Sequence, residues 1–408
     1  MRSGEGRGTG CEESNRQVTY DIAIVGAGAS GLAAGIAAGR TLTPQNLRFR
    51  GDPEGARVIL LERLPRVGKK ILATGNGRCN LGNRNAPEHP YHNKEFAAPA
   101  LEKFGGCEAF FDSLGLAVQE DGEGRLYPRS NMAASVLDAL RFGAERAGCE
   151  IRCDCPVTSI EPVQDGFLIN KNILARRVII AAGGCAAPAQ GSDGSGFSLL
   201  RSLGHSIVEP RPALVQIKSD SPLLPMLKGL RVYAKIKIER DGKVLREAEG
   251  EILFAQDGLS GIAAMEVSRE AQKGSMAVLD LLPEYSIDGL TGLLSRWRAA
   301  CPGYTEVQLL AGLMPRRVAE AVVKNAGDLA HACKRFTFGV TGTRGFEHAQ
   351  VTAGGAEVTQ FDPYTMQSRS VPGLYACGEA LDVDGCCGGF NLHWAWASGI
   401  LAGQSAAT

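Results

Sequence analysis

Asp21-Ile-Ala-Ile-Val25 runs straight into Gly26-Ala-Gly28-Ala29-Ser30-Gly31, and from there into a small-residue stretch that carries no charge before Arg40. An apolar run with β-branched residues, a glycine turn and then a helical pattern is the context in which a G-x-G-x-x-G match carries meaning. Gly26 makes the turn, Gly28 lets backbone approach a pyrophosphate, and Gly31 lets the helix pack on the strand. Ala29 and Ser30 open that helix, whose N-terminus presents about half a positive charge to phosphate. Arg57-Val-Ile-Leu-Leu61 supplies the next strand, and Glu62 at its tip is placed to accept hydrogen bonds from both hydroxyls of a ribose. Glu62 lies beyond the usual spacing of about 20 residues. The stretch from Thr41 to Ala56, rich in Pro, Gly, Asn and Arg, reads as a surface insertion that accounts for the excess. A carboxylate at this tip, rather than an arginine, argues against a 2′-phosphate.

The 408-residue chain is 44% hydrophobic and 22% charged, the balance of a globular protein long enough for two domains. Lys plus Arg equals Asp plus Glu at 44 each, which gives no footprint for a nucleic-acid backbone and no polybasic membrane anchor. Met1 to Gln17 is polar and glycine-rich and is expected to be a disordered tail rather than a secretory signal. The protein is therefore expected in the cytoplasm with mostly free thiols among its 12 cysteines. Ile22 to Gly39 is uncharged and long enough to suggest a membrane span, yet a strand feeding a glycine turn explains it better. There is no Cys-x-x-Cys, His-x-x-x-His, acidic cluster or Gly-x-Ser-x-Gly, so no metal site is expected and acyl transfer lacks support.

Further along, Met132 to Gly148 has helical periodicity, with Val136, Leu140 and Ala144 on one face, and Phe167 to Asn170 and Arg177 to Ile180 read as strands. From Ala213 the texture changes. Ala213 to Lys218, Val232 to Arg240 and Glu251 to Ala255 alternate like strands, with Asp241-Gly242 as a hairpin signal. Leu259 to Arg269, Asp288 to Ala299 and Pro315 to Asn325 read as helices. The expected architecture is α/β: a Rossmann-like domain over 18–212 and 337–408, with 213–336 inserted as a substrate or cap domain.

Two more glycine clusters choose the dinucleotide. Ala181-Ala182-Gly183-Gly184 follows the Val178 to Ile180 strand, and Gly373-Leu-Tyr-Ala-Cys precedes Gly378-Glu379. A flavin dinucleotide is long and calls for a second acidic contact to its ribityl chain, a role that suits Glu379. The three clusters in this order point to FAD. Near Lys70, the loop Thr74-Gly75-Asn76-Gly77-Arg78-Cys79-Asn80 concentrates backbone amides and one guanidinium that could line the pyrophosphate or the isoalloxazine edge, although a tight surface turn is the plain alternative. Cys79 is expected to be a packed or flavin-adjacent thiol rather than a nucleophile.

Gly68-Lys-Lys-Ile-Leu-Ala-Thr-Gly-Asn-Gly-Arg-Cys-Asn80, Val351-Thr-Ala-Gly-Gly355, and Leu381-Asp-Val-Asp-Gly385 through Gly388-Gly-Phe-Asn-Leu392 resemble the HI0933-like flavoproteins, the family of BaiN and aminoacetone oxidase. The likeness runs from about Val18 to the end. The resemblance implies a two-dinucleotide-binding-type flavoprotein fold, non-covalent FAD, an inserted domain that is part small β-barrel and part helical, and an oxidoreductase. Activities in the family include amine oxidation and reduction of conjugated double bonds in steroid-like acids, so the substrate stays open.

Gly388-Gly389-Phe390-Asn391-Leu392 begins a last helix whose N-terminus would face flavin N1 and the C2 carbonyl if the fold is as expected. Cys386-Cys387 before it invites a redox reading, but adjacent cysteines form strained disulfides and two small residues at a turn is the simpler reading. His393 is a candidate proton donor or a core histidine, and Arg344, glycine-flanked, a candidate substrate contact or an interdomain ion pair. Trp394 and Trp396 read as core.

The expected function is hydride transfer through flavin N5, with NAD(P)H, docked transiently in the substrate cleft, reducing a conjugated double bond in a small or steroid-like organic acid. Oxygen-dependent oxidation of a small amine such as aminoacetone is the alternative, as is a non-catalytic FAD-containing binding or sensing protein. RNA modification suits the fold and conflicts with the charge balance. A small-molecule partner is expected, without nucleic acid or membrane.

Overall fold

Ile22, Ala23 and Ile24 are buried because β1 (Thr19–Val25) runs between two parallel neighbours, β2 (Val58–Leu61) and the strand Ile173–Ile180, in the computed structural model. The structure describes residues 19–42, 57–324 and 327–408, so the expected tail and all but the first two residues of the Thr41 to Ala56 insertion lie outside it. Parallel strands covered on both faces need continuous apolar runs rather than alternation, and Val58–Leu61 is buried at all four positions. Cys149–Arg152 continues the sheet beyond β2, Leu374–Ala376 pairs alongside Val178–Ile180, and Gly166–Ile169 and Ile160–Val163 close the far side antiparallel.

This topology brings the separated motifs together. Gly26, Glu62, Ala181 and Gly378 all lie just beyond the carboxyl ends of the parallel strands, where open α/β sheets bind ligands. Helix α1 (Ala29–Thr41) lies against the sheet and against the closing helix Phe390–Ala407. Small residues set that contact: a Cβ on Gly399 would stand 2.4 Å from the Ser30 carbonyl oxygen, and one on Gly403 would stand 2.2 Å from that of Ala34. The helix Ala133–Arg146 buries Val136, Leu140 and Ala144, the predicted face.

The second sheet is wholly antiparallel and carries seven strands, from Ile217–Lys218 to Gly342–Thr343, so it extends past residue 336. Its own core includes Phe254, Phe338, Ile236 and Leu279. The hairpin of Arg231–Arg240 and Lys243–Ala255 turns at Asp241 and Gly242, whose φ values of 51° and 74° are the positive pair that a tight hairpin needs. Four helical stretches follow among the described residues, Ile287–Ala300, Glu306–Leu310, Arg316–Lys324 and Leu329–Lys334. Two expectations need correction. Leu259 to Arg269 is not one helix: Gly258–Ser260 is a strand, Gly261 at φ 93° breaks it, and only Ile262–Val267, the cap helix below, is α-helical. Ala213 to Lys218 is split at Leu214, and the preceding strand Ile207–Ala213 pairs with Val351–Ala356 in a separate two-stranded ribbon.

Candidate functional site

A cavity of about 1000 Å³ runs from the tip of β2 past the glycine turn to the N-terminus of the closing helix and on to the cap helix. At its sheet end, Glu62 is held by two backbone amides: Ala27 N–H donates to Oε2 at 3.0 Å and Leu64 N–H to Oε1 at 2.9 Å. Two of the fingerprint glycines have different surroundings. A Cβ on Gly31 would meet the Gly26 carbonyl oxygen at 1.9 Å, so this residue serves helix-to-turn packing and does not line the cavity. A Cβ on Gly28 would meet nothing within 4 Å, and Gly28 does line the cavity, beside Ala29 and Ser30.

Midway, Lys70 Nζ pairs with Glu379 Oε2 at 2.8 Å, and Thr352 N–H donates to Glu379 Oε1 at 2.7 Å, which leaves the Glu379 carboxylate facing the cavity between fixed partners. Gly183, Ala182 and the loop residues Thr74, Gly75, Asn76, Arg78 and Asn80 also line it. The loop needs its glycines: Gly75, Asn76 and Gly77 have φ of 55°, 55° and 83°. Arg78 rests over the Tyr127 ring, 4.7 Å from its centroid. Asn80 Oδ1 is buried in this wall without a hydrogen-bond partner, an acceptor waiting for a donor that the protein does not supply.

At the far end the closing helix starts from Gly389 in the left-handed region, φ 96°, so its first turn, with Gly388, Gly389, Asn391 and Leu392, borders the cavity. A Cβ on Gly389 would stand 2.4 Å from the Gly82 carbonyl oxygen. Trp394 Nε1–H donates to the Gly378 carbonyl and Trp396 Nε1–H to that of Leu81, which makes both rings buried braces, as read from sequence. Beyond the helix start stand Cys386, Cys387, Leu214, Val351 and, from the cap helix, Ile262 and Met265.

Several candidates do not reach the cavity. His393 is buried on the opposite side of the closing helix, its Nδ1 3.6 Å from Cys107 Sγ and its ring edge-on to Phe104, and burial pushes its pKa down to about 4. It is the core histidine of the two readings, not a proton donor. Arg344 donates Nη2 to both carboxylate oxygens of Asp257 at 3.2 Å and does not line the cavity, so its guanidinium is an ion-pair partner within the cap sheet. Phe390 turns away to stack on His89 at 3.7 Å, Cys79 is buried behind the loop with its thiol pushed up to about 11, and Gly77 faces outward. Gly184 and Gly378 are wall-packing positions, where a Cβ would collide with Thr352 Oγ1 at 2.4 Å and Ser30 Oγ at 2.6 Å. Asn391 spends its amide on the loop before it, accepting from Gly385 N–H and donating to the Gly385 and Cys386 carbonyls. Cys386 and Cys387 are free thiols, as is every cysteine among the described residues.

Residues that the motifs did not reveal complete the far end. Arg246 of the hairpin strand donates Nη2 to Cys386 Sγ at 3.3 Å. Arg269 is ion-paired to Asp384 and lies 4.0 Å from Asp382, tying the cap to the loop that leads into the closing helix. These pairs join residues more than a hundred positions apart, and only the alternation of the hairpin, which puts Arg246 and Ala248 on the less exposed face, hinted at them. No group of three or more metal-ligating side chains occurs among the described residues. No helix among them is long and apolar enough to cross a membrane.

The open space at Gly28, the two acids at Glu62 and Glu379, and the orphaned Asn80 acceptor fit an extended dinucleotide such as FAD. The HI0933-like protein Rossmann domain matches residues 20–405. The chain is 39% identical to the 3-dehydro-bile acid delta(4,6)-reductase of Clostridium scindens, over 95% of this chain and 98% of that one. It is 30% identical to the ribosomal RNA dihydrouridine synthase of Escherichia coli, over 94% and 97% of the two chains. Among solved structures, 3-ketosteroid delta1-dehydrogenase from Sterolibacterium denitrificans in complex with 1,4-androstadiene-3,17-dione aligns at a TM-score of 0.52 with 12% identity, covering 95% of this chain and 99% of that one, a likeness of fold.

Proposed function

Since the chain belongs to the HI0933-like family and is an FAD-dependent oxidoreductase, we propose that it saturates a carbon–carbon double bond conjugated to a carbonyl in a small or steroid-like organic acid, with NAD(P)H as donor. The observation that carries this reading is the apolar slot at the far end of the cavity. Ile262 is 49% exposed there, an uncovered apolar side chain in a recess, and it lines the cavity together with Met265, Leu214, Val351 and Cys387, with Glu347, His348 and Gln350 as the polar residues of that end. A flat hydrocarbon body is the ligand such a slot receives. The similarity to a bile acid reductase over nearly the whole chain supports the same class, and the name of the dihydrouridine synthase also describes saturation of a double bond beside a carbonyl. A chain with 44 acidic and 44 basic residues favours the small acid over RNA.

FAD, when bound, supplies the two-electron chemistry at its isoalloxazine ring. The chain supplies the rest. Glu62 and Glu379 would hold the group by accepting from its ribose and ribityl hydroxyls, the amides after Gly28 would receive its phosphates, and the start of the closing helix would favour negative charge beside it. Asn80 Oδ1, buried without a partner, would accept from an N–H of the group, and the cap helix would keep water from the substrate's face.

The test is anaerobic. Purified protein is mixed with NADH or NADPH, then with a 3-oxo-4,6-diene steroid acid, with aminoacetone, or with ribosomal RNA. Bleaching of the flavin by the nicotinamide, and its recovery with loss of the dienone absorbance, is the expected result. Bleaching by aminoacetone without nicotinamide, or recovery with RNA alone, overturns the proposal.

A further inference from the structure

Saturating such a bond requires a proton at the carbon next to the carbonyl. We propose that Cys386 is that acid and Arg246 its positioning residue, an inference that rests on the reaction proposed above. Cys386 stands in the cavity wall at the apolar slot, where the cap meets the start of the closing helix. Its backbone is fixed on both sides: its N–H donates to His89 Nε2 at 3.1 Å, and its carbonyl accepts from Asn391 Nδ2 at 3.2 Å. Arg246 reaches across from the cap and donates Nη2 to the sulfur at 3.3 Å. A guanidinium occupying a sulfur lone pair leaves the S–H hydrogen for another acceptor and stabilises the thiolate once the proton has gone.

The other groups nearby suit the role less well. Cys387 packs among Ala213, Leu214, Val351 and Ala353 with its thiol pushed up to about 12 by burial. The side chains of Glu347 and His348 are 64% and 51% exposed, open to solvent. The charges that face Cys386 come from three sides: Arg246 on the hairpin, Glu266 on the cap helix, and Asp384 on its own loop. Burial and then Glu266 push the thiol up while Arg246 opposes them, so the sulfur holds its proton at neutral pH. Glu266 makes no hydrogen bond or ion pair among the described residues, and burial raises its own pKa while Arg246 opposes the shift.

The balance closes. The carbon remote from the carbonyl receives a hydrogen with two electrons from reduced FAD, and the double bond becomes an enolate. The Cys386 S–H bond breaks as its proton forms the C–H bond at the near carbon. Water returns a proton to the thiolate, and the reduced nicotinamide, oxidised in turn, restores FAD to its reduced form.

Wild type, Cys386→Ala, Cys386→Ser and Arg246→Gln, each loaded with FAD and reduced by dithionite, are mixed anaerobically with the steroid dienone acid in deuterated water. Flavin content and thermal midpoint report folding, and the serine variant keeps the side-chain volume. Flavin reoxidation is expected to slow about 100-fold in Cys386→Ala. Deuterium at the near carbon is expected on one face with wild type and on both faces with that variant. Cys386→Ser is expected to keep the single face at a reduced rate, and Arg246→Gln to keep it with a shifted pH profile. Wild-type rates and single-face delivery in both cysteine variants would overturn the assignment of Cys386 and leave the reductase reading standing. A wild type that the dienone fails to reoxidise overturns both.

Discussion

Gly28 and Gly31 sit three residues apart in one motif yet answer to different partners, and a methyl group tells them apart. At Gly31 a Cβ would be forced to 1.9 Å from the Gly26 carbonyl oxygen, so Gly31→Ala must push α1 off its turn, at a cost of about 3 kcal/mol in urea unfolding of the apoprotein. At Gly28 the φ of −82° suits any residue and the Cβ direction is open, so Gly28→Ala should leave apoprotein stability within about 0.5 kcal/mol. Its cost appears only against the cofactor: the methyl group occupies the space the pyrophosphate needs, and FAD titration should show affinity weakened about tenfold or more. Equal losses of apoprotein stability in the two variants would contradict this division. The tight packing at Gly31 and the open space at Gly28 were legible in the sequence because they depend on strand, turn and helix in immediate succession. The placement of Arg344 was not, because its partner Asp257 lies 87 positions away and nothing local marks the pairing.

Helix phase explains most of what the sequence left undecided in the closing helix, Phe390–Ala407. Asn391, Leu392 and Ala395 share the face that borders the cavity, and His393, about 200° from Asn391 around the axis, points with Trp396 into the packing against Phe104 and Phe111. A period-3.6 reading anchored on the Gly388-Gly389 start would have placed His393 inside. Its burial has a measurable consequence. The folded pKa of about 4 lies below the unfolded value near 6.5, so the unfolded chain binds the proton more readily, and the stability present above pH 6.5 is lost as pH falls towards 4. The loss amounts to about 3 kcal/mol from this residue, and His89, lowered to about 4 by burial and then by Arg246 and Lys94, adds to the same window. His393→Gln should flatten part of that slope in urea titrations between pH 4 and 7 while leaving flavin chemistry intact, since the side chain does not touch the cavity. An unchanged slope would mean that His393 takes up its proton equally in the folded and unfolded states. The cap helix shows the opposite failure of pattern reading: Leu259 to Arg269 has helical periodicity, but Gly258 and Gly261, at φ 157° and 93°, turn its first third into a strand of the second sheet.

At the scale of the molecule, the two sheets have separate cores, and the far end of the cavity exists only because the second is docked on the first. Strand patterns and the return of glycine motifs after the inserted unit made the two-part plan legible; the docking was not, because it rests on side chains that meet only in the folded chain. Arg269 carries much of it. Its side chain is 9% exposed and that of Asp384 8%, with Asp382 at 6%, and Asp382 further accepts from Gly354 N–H and lies 3.1 Å from His92 Nε2. Two buried carboxylates share one guanidinium; Asp382 keeps Gly354 N–H and His92 when the cation is removed, whereas Asp384 is left as a buried charge without a hydrogen-bonded or ion-paired side chain. Arg269→Met should therefore cost about 3–5 kcal/mol, whereas pairing it with Asp384→Asn should recover a large part, because an uncharged amide tolerates burial better than an orphaned carboxylate. The same single variant should raise KM for the dienone acid more than it slows flavin reduction by dithionite, since the cap helix would lose its fixed position over the slot while the dinucleotide end of the cavity, built on the other core, stays intact. Additive costs in the double variant would show that the two residues act independently, and the cap would then owe its seat to the apolar contacts around Leu214 and Val351 instead.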